Sequence, residues 1–332
     1  MGKKLLLILG LSLTVCTTQA QDPDFSQFFM APILLNPASV GTGYGDWRAM
    51  INYRNMWGNT QTPYKTMSLN VEYKLTKNRN TGNILAAGLT LLSDQSMYGV
   101  LKSNYLGASV AYHAALDDHN RIGLGLQGSY GNRRLDQSQL TFGDQFRSGG
   151  FNTSLPSSEL ALSNLTSYVS VGTGIWYNYN QSDLNFDFGI SAFHLNRPKQ
   201  TLVTDKAQFI PMRFTIHSNL EYNMSSSMML SFNTVFQTQT DVNNLFSFGS
   251  ALGFDLGEGD RNKVLFAGAW YRYGSALYPY VGLLYGHVQA GFTYDVNVSR
   301  QVKGWQNPNS IEFSLIFKQV KPVFGVIPCP WK

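Results

Sequence analysis

From Arg48 onward the chain alternates. Apolar and polar residues exchange places at every second position, the period of a strand with two unlike faces. The clearest run is 183–194, where Leu184, Phe186, Phe188, Ile190 and Ala192 oppose Asp183, Asn185, Asp187, Gly189 and Ser191. Similar runs occupy 48–57, 65–75, 121–135, 167–179, 211–222, 228–237, 244–256, 287–296 and 310–318. The stretches 83–92, 104–116, 263–273 and 276–285 alternate less cleanly. Together they predict about fourteen antiparallel strands over 48–318.

The polar faces select among all-β classes. A sandwich turns its polar side to bulk water and fills it with Lys and Glu; here that side is mostly Ser, Thr, Asn and Gly. Aromatics gather near strand ends, at Trp57, Tyr73, Trp176, Tyr177, Tyr179, Tyr222 and Tyr273. An apolar belt with aromatic girdles around a polar interior is the pattern of a transmembrane β-barrel. Connection lengths agree. Short, turn-rich connections follow the even-numbered strands, and the long gaps at 136–166, 195–210 and 297–309 all follow odd-numbered ones. The long gaps therefore share one side of the membrane. The longest, 136–166, carries Phe142, Phe146 and Phe151 and can fold onto the barrel mouth or into the lumen.

Composition sharpens this picture. Charged residues are only 14% of the chain, while Tyr 18, Phe 21 and Gly 31 are abundant. Residues 1–20 read as a secretory signal: Lys3 and Lys4, an apolar core, then Thr18-Gln19-Ala20 before the cleavage point. Cys16 raises a lipoprotein alternative, but Val15 is bulky for the position before a lipidated cysteine. Cleavage after Ala20 leaves Cys329 as a lone thiol, so no internal disulfide is expected. The formal charge of +5 is scattered, with Arg133-Arg134 the one adjacent basic pair beyond the signal, so no nucleic-acid stripe is read.

Reactive chemistry is sparse. There is no Gly-x-Ser-x-Gly elbow and no pair of histidines at metal-ligand spacing. Gly123, Gly125 and Gly128 lie in a strand pattern, without the strand–loop–helix context of a phosphate loop. His113, His194 and His217 read as lumen or girdle residues, and His119 and His287 as turn residues. Arg48, Arg54, Glu72, Lys74, Asp187, Arg213 and Glu221 fall on the inward phase, where they are expected to pair across strands. The expected protein is not an enzyme, and neither a cofactor nor a metal is expected.

Before the first strand runs a lead that does not alternate. It holds Phe25-Ser26-Gln27-Phe28, Pro32, Leu35-Asn36-Pro37-Ala38 and Gly41, and it hands over to Arg48, Tyr53, Arg54 and Trp57 in the first strand. This spelling resembles the opening of the PorP/SprF family, outer-membrane barrels of the type IX secretion and gliding machinery of Bacteroidetes. The ending Cys329-Pro330-Trp331-Lys332 looks like that family's tail, with the residue order changed.

The resemblance implies a location in a Gram-negative outer membrane. It implies a non-enzymatic role in secreting or anchoring a cargo or surface adhesin, with membrane lipid and type IX components as partners. The organisation expected is a signal at 1–20, a periplasmic lead at 21–47, the barrel at 48–318 and a tail at 319–332. The lead is expected to tuck into the periplasmic end and seal it, with partner contact as an addition. A diffusion channel for small or apolar solutes is the alternative.

Overall fold

The computed structural model describes residues 22–319, apart from 59–62, 78–80, 97–98, 137–139, 141, 148–149, 153, 156, 158–166, 201–207, 241–242, 258–262 and 300–308. The expected signal, Cys329 and the tail from 320 lie outside the described residues.

Fourteen strands close into one antiparallel barrel. They are β1 (Trp47–Met56), β2 (Tyr64–Lys77), β3 (Ile84–Ser96), β4 (Leu101–Ala115), β5 (Asn120–Leu135), β6 (Tyr168–Gln181) and β7 (Leu184–Phe193). Then follow β8 (Arg213–Ser225), β9 (Met228–Thr240), β10 (Asn243–Asp255), β11 (Lys263–Arg272), β12 (Ala276–Tyr285), β13 (Val288–Asn297) and β14 (Ser310–Lys318). Each strand pairs with its sequence neighbour, and β1 pairs with β14 to close the ring, Arg48 opposite Lys318 and Arg54 opposite Glu312. Closure leaves no strand edge unpaired, which a wall surrounded by lipid requires.

We call the end where β1 begins the near end and the other the far end. The long connections, 136–167, 194–212 and 298–309, all leave the far end. Within the first of these, Phe146–Arg147 pairs with Gly150–Phe151, and the rings of Phe146 and Phe151 meet edge to face while staying exposed.

The alternation takes the expected phase. Phe188, Ile190, Phe313 and Leu315 are exposed on the outer face, while Asn185, Asp187, Ser191, Glu312 and Ser314 are buried inward. Trp176 departs from expectation. It is not a girdle residue but an inward one, 4% exposed, with its ring against His113.

The four weakly alternating stretches are all strands, β3, β4, β11 and β12. Their inward positions carry apolar residues as well: Ile84, Ala86, Ala111, Val264, Phe266, Trp270, Tyr278, Tyr280 and Leu284, all buried in one cluster. Apolar residues on both faces erase the period-two signal. The cluster also contains Phe28, Phe29, Met30, Ile33, Leu35 and Val40 of the lead, which is why the wall is apolar there.

Phe188 stands mid-strand on the outer face. Phe188→Arg is expected to cost about 2–4 kcal/mol of barrel stability if it sits at the bilayer midplane. Phe188→Leu, which keeps the face apolar, is expected to cost far less. Urea unfolding in lipid vesicles measures both, and equal costs would contradict the outward assignment.

Candidate functional site: the lumen and the segment that fills it

The lead lies inside the barrel. Its sequence supplies short turns rather than a strand: Phe28–Met30, Pro32–Leu35 and Pro37–Ser39 are single helical turns. Pro32 and Pro37 each begin one, where proline's fixed φ suits a first helical position and its missing N–H costs nothing. Side chains and wall groups therefore satisfy the backbone that a strand would have paired. Phe25, Ser26, Gln27, Phe28, Phe29, Met30, Ala31, Ile33, Leu35, Asn36, Ala38, Ser39 and Val40 are all buried. The sequence suggests a seal at the near end, but the lead extends further, through the lumen to the far end.

At the far end the contacts are ionic. The Asp22 carboxylate lies 2.9 Å from His194 Nε2 and 3.1 Å from Arg213 Nη1. Asp24 meets Arg54 Nη1 at 2.9 Å and Arg272 Nη2 at 3.3 Å. Burial alone would raise the Asp24 carboxyl, but Arg54 and Arg272 outweigh it and hold the group down at about 2. This contribution is in place above the ordinary carboxylate range and is lost as pH falls toward 2.

Arg54 is the hub. It also donates to the Asp24 carbonyl at 2.7 Å and to Asp295 at 3.2 Å, and it lies 3.9 Å from Glu312. Glu312 in turn accepts the backbone N–H of Ser26 at 2.7 Å and of Gln27 at 2.9 Å. Ser26 Oγ donates to Asp295 at 2.6 Å, and Gln27 Nε2 donates to the Glu312 carbonyl at 3.0 Å.

Mid-lumen contacts are apolar on one side and tightly fitted on the other. Phe29 stacks on Trp270 with centroids 4.4 Å apart and meets Tyr280 edge-on at 5.4 Å. Across the lumen, Asn36 Oδ1 accepts the Ala38 N–H at 2.8 Å, fixing the turn that Pro37 begins. Its Nδ2 donates to the Ile175 carbonyl at 2.9 Å and reaches His217 Nε2 at 3.2 Å. Ser191 Oγ donates to the Leu35 carbonyl.

The wall is scooped out beneath this turn. A Cβ on Gly174 would lie 1.9 Å from Asn36 Oδ1, and one on Gly125 would lie 2.3 Å from the Ala38 nitrogen. These strand glycines are the seat of the Leu35–Ala38 motif.

At the near end the chain turns into the wall. His113 Nε2 meets the Val40 carbonyl at 2.7 Å, and Glu72 accepts the Gly41 N–H at 3.1 Å while pairing with Arg48 Nε at 2.7 Å. Gly41 has φ +81°, and a Cβ there would strike Ala86, so the turn requires glycine.

Of the residues singled out in the sequence, Phe25, Gln27, Phe28, Leu35, Asn36, Ala38, Arg48 and Arg54 are buried in this one packed interior, with Pro32, Pro37 and Gly41 shaping its turns. Tyr53 and Trp57 stand apart: Tyr53 is on the outer face of β1, and Trp57 is just past its end with its ring against Tyr64. The inward charges pair differently from expectation. Arg48 and Glu72 bridge neighbouring strands, and Glu72 also accepts the Gly41 N–H from the lead. Arg54 and Arg213 bind the lead's own acids, and Lys74 donates to the Gly43 carbonyl. Asp187 and Glu221 are served by the amides of Asn178, Asn185 and Asn219.

Asp295 and Arg272, central to the far-end cluster, were not singled out in the sequence. Their inward phase on β13 and β11 was the only signal available.

A closed fourteen-strand barrel with an apolar outer face and a filled polar lumen is a membrane β-barrel of the outer-membrane type. The particular family follows from sequence: a model described as type IX secretion system membrane protein PorP/SprF matches residues 17–317, and the chain belongs to that family. No curated protein matches it.

Solved structures match in fold. The toluene transporter TbuX of Ralstonia pickettii shares 12% identity at a TM-score of 0.50, covering 88% of this chain and 94% of that one. The toluene transporter TodX of Pseudomonas putida shares 9% at 0.51, covering 86% and 92%. At these identities the likeness is one of fold.

Arg54→Met removes one cation from among Asp24, Asp295 and Glu312. Breaking a buried ionic cluster from one side is expected to cost about 3–5 kcal/mol in urea unfolding. Asp24→Asn is expected to cost clearly less, because Asp24 is the most exposed member of the cluster, at 31%. The reverse order would contradict Arg54 as the hub.

Proposed function

We propose that this protein is a non-enzymatic scaffold barrel of the type IX secretion machinery. In this reading it sits in a Gram-negative outer membrane and supports secretion or surface anchoring of a cargo or adhesin. The lead enters the wall from the periplasm, so the near end is periplasmic and the far end, with its long connections, faces the cell surface. The signal at 1–20 is removed before assembly.

Family membership supports the pathway. The single observation that supports a scaffold over a conduit is the closed lumen. In a water-filled pore the inward residues would be wet. Here Asn52, Asn70, Thr215, Ser231, Thr293 and Glu312 are 0–1% exposed, shielded by the lead and by one another. Two voids beside the lead, of about 70 and 50 Å³, have room for a few waters and are smaller than the ~150 Å³ that accommodates one benzene. With the interior occupied, the surfaces left for partners are the two ends and the far-end connections.

Two measurements test this. Purified protein in a planar bilayer is expected to show no steady conductance, whereas Gly174→Val, which displaces Asn36 from its seat, is expected to open a pore. Steady conductance by the wild type would favour the solute channel instead. In cells, deletion of the gene is expected to remove the partner from the surface, and an epitope placed after Gly150 is expected to stain without permeabilisation. Normal display after deletion would defeat the secretion reading, and staining only after permeabilisation would reverse the orientation.

A further inference from the structure

The positive excess is scattered in sequence, but the strand register gathers part of it into one row. Lys65 of β2 lies opposite Gln95 of β3, Gln95 opposite Lys102 of β4, and Lys102 opposite Arg134 of β5. All three cations are exposed on the outer face of the wall, in phase with Met67, Leu89, Leu106 and Leu126. The row stands at the far end. Beneath it comes a row that is polar on β3, β4 and β5, with Ser93, Asn104 and Asn132 beside Met67, and beneath that an apolar one, Leu69, Leu91, Leu106 and Tyr130. Descending the outer wall, the order is therefore cation, polar, apolar.

The row itself contains no acidic residue; Asp136, directly after β5, donates its N–H to the Val100 carbonyl. No Asp or Glu occupies an outward position on β2, β3, β4 or β5 between Lys65 and Arg134. Asp94, at the same level, points inward and accepts a hydrogen bond from Thr66. Among the described residues, none of the three cations forms an ion pair. Lys102 and Arg134 are direct cross-strand partners on strands about 5 Å apart, an arrangement that is destabilising unless an anion lies between them. Elsewhere around the far end the outward positions are uncharged, as at Val169, Phe214, Leu277, Val296 and Ile311.

We propose that Lys65, Lys102 and Arg134 bind the phosphates of an anionic lipid in the leaflet around the far end. A lipid fits this site better than a soluble anion. The row stands where the apolar belt ends, at headgroup depth, and acyl chains of the same molecule would lie along Leu69, Leu91, Leu106 and Leu124. Basic residues at this level of a charged membrane each add appreciable attraction. The assignment rests on the outer-membrane reading above; with the far end outside, the lipid is the phosphorylated glycolipid of the outer leaflet.

The test uses the purified full-length barrel in uncharged detergent, so it does not depend on secretion. Fluorescent diphosphorylated lipid A and its dephosphorylated form are titrated in parallel. The wild type is expected to prefer the phosphorylated form by about tenfold or more. The triple variant Lys65→Gln, Lys102→Gln, Arg134→Gln is expected to lose that preference. Lys65→Arg, Lys102→Arg, Arg134→Lys is expected to keep it, and millimolar inorganic phosphate is expected not to compete. Equal preference in the wild type and the triple variant, or displacement of the lipid by inorganic phosphate, would overturn the proposal.

A second readout covers a triple variant that fails to assemble. Lys102→Gln alone relieves the like-charge contact, so it is expected to raise the barrel's melting temperature in uncharged detergent. It is expected to lower it relative to wild type once phosphorylated lipid A is added. A drop in both conditions would contradict an unneutralised pair.

Discussion

The contact on which the interior depends is Arg54 among Asp24, Asp295 and Glu312. It lies on the seam. Arg54 belongs to β1 and Glu312 to β14, and the two are direct partners in the pairing that closes the barrel. The lead crosses that seam with two backbone N–H groups on Glu312 and a carboxylate on Arg54. A charge buried without partners is costly, so each group demands the others. The lead is thus part of what makes the closing pair acceptable, and its removal would take Asp24 from Arg54 and two N–H donors from Glu312 at the join.

From this seam the rest of the packing follows. Anchoring residues 22–27 at the far end obliges the chain to run back through the lumen to reach Trp47 at the near end. A path of that length needs an apolar bed and close approach. The bed is Phe266, Trp270, Tyr278 and Tyr280 under Phe29. Gly125 and Gly174 permit the close approach under Asn36 and Ala38. A filled interior in turn leaves the ends and outer face as the surfaces that the proposed scaffold role would use.

The wall was legible in the sequence because its determinant is local. Period-two alternation is written in consecutive residues, and the runs around Phe188 and Phe313 set strand phase on their own. Connection lengths gave the two-sidedness. The interior was legible only in outline. Phe25–Ala38 stood out as apolar yet outside any strand, which requires burial somewhere, but its depth depends on partners such as Asp295 and Glu312, nearly the whole chain away. Gly125 read as one glycine in a strand because the reason for it, Ala38, belongs to another element. Trp176 was misplaced for the same reason: an aromatic near a strand end marks a girdle or a lumen contact, and only His113, two strands along the wall, decides. The cation row on β2 to β5 was invisible, since register alone aligns Lys65, Lys102 and Arg134.

The central claim is that residues 25–40 are a fixed part of the barrel interior. Backbone hydrogen exchange in the purified, lipid-embedded protein tests it most directly, since the Ser26 and Gln27 amides donate to Glu312 and the Ala38 amide to Asn36. The account predicts that these amides are protected to the level of the strand amides of β1 and β14 and are released only on global unfolding. Exchange within seconds while the strands stay protected would show a lead that only visits the lumen, and would contradict the account.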